Sequence, residues 1–119
     1  MVESVAVITD IKIIIITLVL FFVAALLEIG GGYLVWQWIR EKKGIVMGLI
    51  GGIVLFLYGI IPTLQPSHFG RTYAAYGGIF IISSIIWGMI VDKKKPDRFE
   101  LIGSLIAIVG AVIIFYTPR

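Results

Sequence analysis

Four long apolar runs, separated by short charged or proline-bearing segments, dominate this chain. They cover Ile13–Ile39, Ile45–Leu64, Arg71–Val91 and Phe99–Tyr116. None alternates apolar and polar residues, so none reads as a half-buried strand, and each is long enough to cross a bilayer as a helix of about 20 residues. Arg40, Glu41, Lys42, Lys43 and Gly44 form the first turn, and Gln65–Gly70, with Pro66 and His68, the second. The third, from Asp92 to Arg98, is the one strongly hydrophilic stretch. The pattern predicts an all-α membrane protein with four transmembrane helices in one domain, residues 1–119. Thr9 or Asp10 is expected to cap the first helix. Pro62 is expected to kink or end the second. The opening residues carry acids where a signal peptide has a basic region, so the first helix reads as retained.

Composition removes the alternatives. The chain has 119 residues, of which 60% are hydrophobic, and a mean hydropathy of +1.08. A soluble domain this small could not bury so much apolar surface. The net charge of +3 comes from basic residues at the helix ends, which fits contact with anionic lipid and not nucleic acid. There is no cysteine, hence no disulfide and no thiol ligand. No nucleophile–base pair, phosphate-binding loop or acidic metal cluster is evident, so neither enzyme activity nor a cofactor or metal is expected.

Charge also predicts orientation. Loops one and three hold seven basic residues, Arg40, Lys42, Lys43, Lys93, Lys94, Lys95 and Arg98, whereas the opposite face holds three, Lys12, Arg71 and Arg119. Positive charge favours the cytoplasmic side. Loops one and three are therefore expected inside a cytoplasmic membrane, with both termini outside.

Glu28 is the single acid in the interior of an apolar run. A carboxylate at the centre of a membrane helix costs about 2.5–3.5 kcal/mol, against about 0.3–0.6 kcal/mol returned by each Leu, Ile, Phe or Val. The helix inserts despite it, and such acids mark ion or substrate paths. The bland alternative is an acid held neutral by a hydrogen bond between helices. Phe21, Ala24, Ala25, Gly31, Gly32 and Val35 share its helical face. Gly30-Gly31-Gly32 beside it serves either as a hinge or hollow next to the acid or as close helix packing. The third run carries Tyr73, Tyr76, Phe80, Ser83, Ser84 and Trp87. With Glu28 these form a receptor for an organic cation, or else a packing surface with interfacial aromatics. Arg71 either pairs with charge at a vestibule or snorkels to headgroups. Gly103, Ala107, Gly110 and Ala111 give the fourth run a small-residue seam for helix packing or dimerisation.

Two segments carry a family resemblance: Ala25-Leu26-Leu27-Glu28-Ile29-Gly30, and Gly70-Arg71-Thr72-Tyr73-Ala74-Ala75-Tyr76-Gly77-Gly78-Ile79-Phe80. From about Ile13 onward the chain resembles the YnfA family of small four-helix membrane proteins. More distantly it is similar to the small multidrug resistance exporters of the drug/metabolite transporter superfamily. In that comparison Glu28 stands where the exporters keep their membrane-embedded acid. Tyr73 falls on their third-span tyrosine and Tyr76 on their third-span tryptophan. Trp87-Gly88 matches their Trp-Gly pair, and Gly103 and Gly110 repeat their dimerising spacing. The second run lacks the polar residues with which the exporters help bind substrate. The resemblance implies an antiparallel homodimer, an eight-helix bundle that exchanges protons for small cationic substrates at paired Glu28 side chains, with Gly31 and Arg71 in support. The rivals are a membrane interaction or assembly protein that transports nothing, and a transporter of another metabolite.

Overall fold

The structure, a computed structural model, describes the backbone of residues 2–119 and the side chains of residues 10–119. Its helices are α1 (Val2–Ile39), α2 (Ile45–Ile60), α3 (Phe69–Ile90) and α4 (Arg98–Tyr116), with a 3-10 turn at Ile61–Leu64. Four helices are long and apolar enough to cross a membrane. This is a multi-pass helical membrane protein, and an even number of spans puts both ends of the chain on one side.

The helix ends follow local chemistry. The α-helical part of α2 stops at Ile60, because Pro62 cannot donate to the ladder and the chain tightens into the 3-10 turn. His68 starts α3 by accepting the Arg71 backbone N–H on Nδ1 at 3.4 Å. Asp97 starts α4 within a capping box. The Glu100 N–H donates to Asp97 Oδ1 at 2.8 Å, and the Asp97 N–H donates to Glu100 Oε2 at 3.3 Å. The start of α1 corrects the sequence expectation. The helix already runs from Val2, so Asp10 lies inside it and caps nothing; the Thr9 side chain falls outside the described residues. No proline or glycine interrupts residues 2–9, and acids at helix-compatible positions do not end a helix. From Asp10 to Ile39, α1 has 30 residues, about 45 Å at 1.5 Å per residue. It exceeds a hydrocarbon core of about 30 Å and must tilt or project.

The four helices pack as two pairs joined through α1 and α3. In the α1–α2 pair, a Cβ added at Gly31 would lie 3.0 Å from Gly51 O and 2.9 Å from Leu55 Cγ, and one at Gly51 would lie 2.8 Å from Gly31 O. Gly31 is buried in this contact and forms no hollow beside the acid. Helix α1 runs unbroken through Gly30-Gly31-Gly32. In the α3–α4 pair, a Cβ at Gly78 would lie 2.6 Å from both Ala111 Cβ and Ala107 O. Backbones this close draw on dispersion contacts that lipid cannot match. Between the pairs, Phe21 and Ala24 of α1 meet Ala75 and Tyr76 of α3 in the small buried core. Large apolar side chains such as Phe22, Phe56 and Leu105 face outward, as lipid requires.

Candidate functional site

Glu28 sits at the junction of two cavities. One, about 180 Å³, is walled by Glu28, Tyr58, Tyr73, Tyr76, Gly77 and Phe80. Tyr58 of α2 presents its hydroxyl to the carboxylate there. The other, about 410 Å³, extends from Glu28 towards loop three. Besides Glu28, its polar and aromatic lining is Tyr33, Trp36, Phe80, Ser84, Trp87 and Asp92. No lysine or arginine lines either space. The larger one falls within the usual size of small-molecule sites, roughly 300–1,000 Å³.

Helical register explains the placement. Gly32 and Trp36 follow Glu28 at intervals of four and form one stripe of α1. Phe80, Ser84 and Trp87 follow at four and three on the facing stripe of α3. The Tyr33 and Trp87 ring centroids are 5.5 Å apart. The Tyr33 hydroxyl donates to Asp92 Oδ1 at 3.3 Å, tying α1 to the start of loop three. Arg40 lies over Trp36, 4.6 Å from its ring centre, where the helix leaves the membrane. Two carboxylates and four aromatic side chains, Tyr33, Trp36, Phe80 and Trp87, thus line one space, a composition that attracts a cation and repels an anion.

The predicted residues divide into several groups. Glu28, Tyr73 and Trp87 all reach the cavities. Tyr73 remains 37% exposed and stacks on Phe69. Tyr76 touches the smaller cavity but is chiefly a core residue, 3% exposed, with its ring 4.5 Å from that of Phe21. Its hydroxyl meets Gln65 Nε2 at 3.3 Å and Leu20 O at 3.4 Å. Ser83 faces a separate, almost wholly apolar groove with Phe22, Leu26 and Ile90. Arg71 lines neither Glu28 cavity. The seam of α4 divides too. Ala107 and Ala111 are taken up by Gly78 within the chain, while a Cβ at Gly103 or Gly110 would meet nothing within 4 Å. The dimer assignment is therefore withdrawn for Ala107 and Ala111: in this fold they serve the α3–α4 pair.

Tyr58, Tyr33, Trp36 and Asp92 are site residues that the sequence reading missed. Tyr58 had a usable signal. It and Thr63 are the only polar side chains in the second run, and Tyr58 lines the smaller cavity.

The core role of Tyr76 gives a stability prediction. Tyr76→Ala should destabilise the solubilised protein by about 3–5 kcal/mol, as for other buried aromatics cut to alanine. Tyr76→Phe should cost only about 1 kcal/mol, the net value of its hydrogen bonds. Thermal unfolding followed by circular dichroism checks both. Equal, small losses would show that the ring is not a core element.

Four helices long and apolar enough to cross a membrane, with Glu28 the one acid in the interior of their apolar spans, define a small multi-pass membrane protein. Residues 14–119 match the family described as "Uncharacterised BCR, YnfA/UPF0060 family". A UPF0060 membrane protein of Clostridium beijerinckii is 57% identical over 101 residues, covering 83% of this chain and 91% of the relative. YfjF, a UPF0060 membrane protein of Bacillus subtilis, is 52% identical over 106 residues, covering 87% of this chain and 96% of the relative. The chain belongs to the YnfA/UPF0060 family. No solved structure matches it.

Proposed function

We propose that this protein is a proton-coupled exporter of small organic cations that works as a homodimer, by alternating access around Glu28. One observation carries the reading. Glu28, the one acid in the interior of the apolar spans, opens onto a cation-sized aromatic cavity of about 410 Å³ that no basic side chain lines. Each ring facing a desolvated cation contributes about 0.5–2 kcal/mol. An ionised carboxylate at this depth needs a partner. Either a proton or a cation satisfies it, so the two compete for one group. Proton release on one side of the membrane then permits cation binding, and reprotonation on the other expels the cation.

One four-helix chain has no inverted repeat with which to present the site to both faces. A second, inverted copy supplies the missing half, and the open α4 strip at Gly103 and Gly110 is a surface on which it can pack. The similarity to the small multidrug resistance exporters supports the same assignment. The excess of basic residues favours loops one and three in the cytoplasm, a preference that one protomer of the inverted pair follows and the other opposes.

The test is proton release from the purified, weakly buffered protein on addition of tetraphenylphosphonium, ethidium or a tetraalkylammonium ion. The wild-type chain should acidify the solution. Absence of release across all three cation types would overturn the reading.

A further inference from the structure

A third cavity, about 230 Å³, lies at the loop-two end of the molecule between the 3-10 turn and the start of α3. Its walls are Pro62, Thr63, Ser67, Phe69, Thr72 and Tyr73. Two of its hydroxyls, Ser67 Oγ and Thr72 Oγ1, are buried with no hydrogen-bond partner among the described residues. Thr72 is only 2% exposed. A threonine within a helix ordinarily turns its hydroxyl back to the preceding turn; Thr72 does not. Leaving such a group unsatisfied costs about 1–3 kcal/mol. At roughly 30 Å³ per water, a space of this size has room for waters that could satisfy both hydroxyls.

This cup is next to the acid. Tyr73 forms part of its wall and also part of the wall of the chamber that holds Glu28 and Tyr58. From Thr72 to Gly77, which lines the Glu28 chamber, is five helical residues, about 7.5 Å of rise. One tyrosine therefore separates a hydroxyl-lined cup from the carboxylate. The His68 imidazole and the Arg71 guanidinium, both close in sequence, do not line the cup. No carboxylate lines it either, in contrast to the cavity between Glu28 and Asp92.

We propose that protons reach Glu28 from the loop-two face through this Ser67–Thr72 cup and past Tyr73, along a route separate from the cavity that receives the cation. The proposal rests on the proton-coupled reading of Glu28. A proton enters on a cup water, and the Tyr73 and Tyr58 hydroxyls each accept one proton and release one. The Glu28 carboxylate ends as the acid, and the hydroxyls end unchanged. Hydroxyls suit this because each both donates and accepts.

The absence of native cysteine makes the hydration test clean. In proteoliposomes, Thr72→Cys should react with 2-sulfonatoethyl methanethiosulfonate, an anion, at least about tenfold faster than the lipid-facing Leu105→Cys control. Equal rates would show a dry cup and overturn the proposal. Thr72→Val, which keeps the shape and removes the hydroxyl, should slow tetraphenylphosphonium-triggered proton release roughly tenfold or more while leaving equilibrium affinity unchanged, and Thr72→Ser should restore the rate. Wild-type speed in Thr72→Val, or a parallel loss of affinity, would overturn the relay. Release that persists in Glu28→Gln strikes instead at the exporter reading, whereas the cysteine result reports on the cup alone.

Discussion

Glu28→Gln should abolish cation-triggered proton release while leaving insertion and helix packing intact. Glutamine matches glutamate in shape, so the half-buried position in α1 loses no volume. Its side-chain oxygen still lines the cavity shared with Tyr58. Insertion becomes easier, because the variant no longer places an ionisable group in the apolar span. What disappears is the one group that can exchange a proton for a cation. Wild-type affinity for tetraphenylphosphonium should rise with pH, because deprotonation frees the carboxylate for the cation, and should level off once deprotonation is complete. The Gln variant should bind weakly and with no pH dependence, held by the aromatic walls of Tyr33, Trp36, Phe80 and Trp87. Glu28→Asp should retain both release and pH dependence with altered affinity, since the charge persists one methylene nearer the helix. Titration with a pH indicator, beside circular dichroism as a folding control, measures all of this. Transport by the folded Gln variant with the wild-type pH profile would remove Glu28 from the mechanism.

The sequence disclosed the spans because membrane insertion depends on local hydropathy. Ile39, Ile45 and Tyr116 are helix boundaries in both readings, and Pro62 announced the end of α2. The start of α1 was hidden because helix formation does not require hydrophobicity, so Glu3 and Asp10 looked like flanks of a helix that in fact contains them. Glu28 was legible as a polar residue among apolar ones. The division between Tyr73 and Tyr76 was not. Three residues turn a helix by 300°, and the remaining 60° places Tyr76 against Phe21 and leaves Tyr73 on the cavity wall. Tyr33 and Asp92 are 59 residues apart, and nothing in either one's neighbourhood marks them as partners. The Gly31–Gly51 and Gly78–Ala111 contacts likewise emerge only when the register of two helices is known. Spacing within α4 alone made Ala107 and Ala111 look equivalent to Gly103 and Gly110.

That difference within α4 separates folding from assembly. Gly78→Leu drives a branched side chain into Ala107 and Ala111, where even a Cβ would lie only 2.6 Å from backbone and side-chain atoms. The two helices must part, and little folded protein should be recovered. Gly110→Leu enters open space within the protomer, so helix content and thermal stability should stay near wild type. Only a second chain packed on the strip would meet the new side chain, and the dimer should dissociate because the backbones can no longer approach. Light scattering in detergent, corrected for the micelle, reads the oligomer directly; a Gly110→Leu dimer of wild-type affinity would place the interface elsewhere. The same strip reports orientation. Gly103 and Gly110 lie symmetrically about the middle of α4 (Arg98–Tyr116). In antiparallel protomers crossing near that middle, Gly103 of one chain faces Gly110 of the other. In parallel protomers, like faces like. Mixed Gly103→Cys and Gly110→Cys chains should therefore form the unlike disulfide in the membrane, with neither variant pairing with itself. Self-pairing of either variant would establish parallel chains and leave alternating access without its inverted half. The antiparallel arrangement has a further consequence. Each membrane face then carries the Ser67–Thr72 cup of one protomer and the Glu28–Asp92 cavity of the other, so proton and cation each find a way in from both sides.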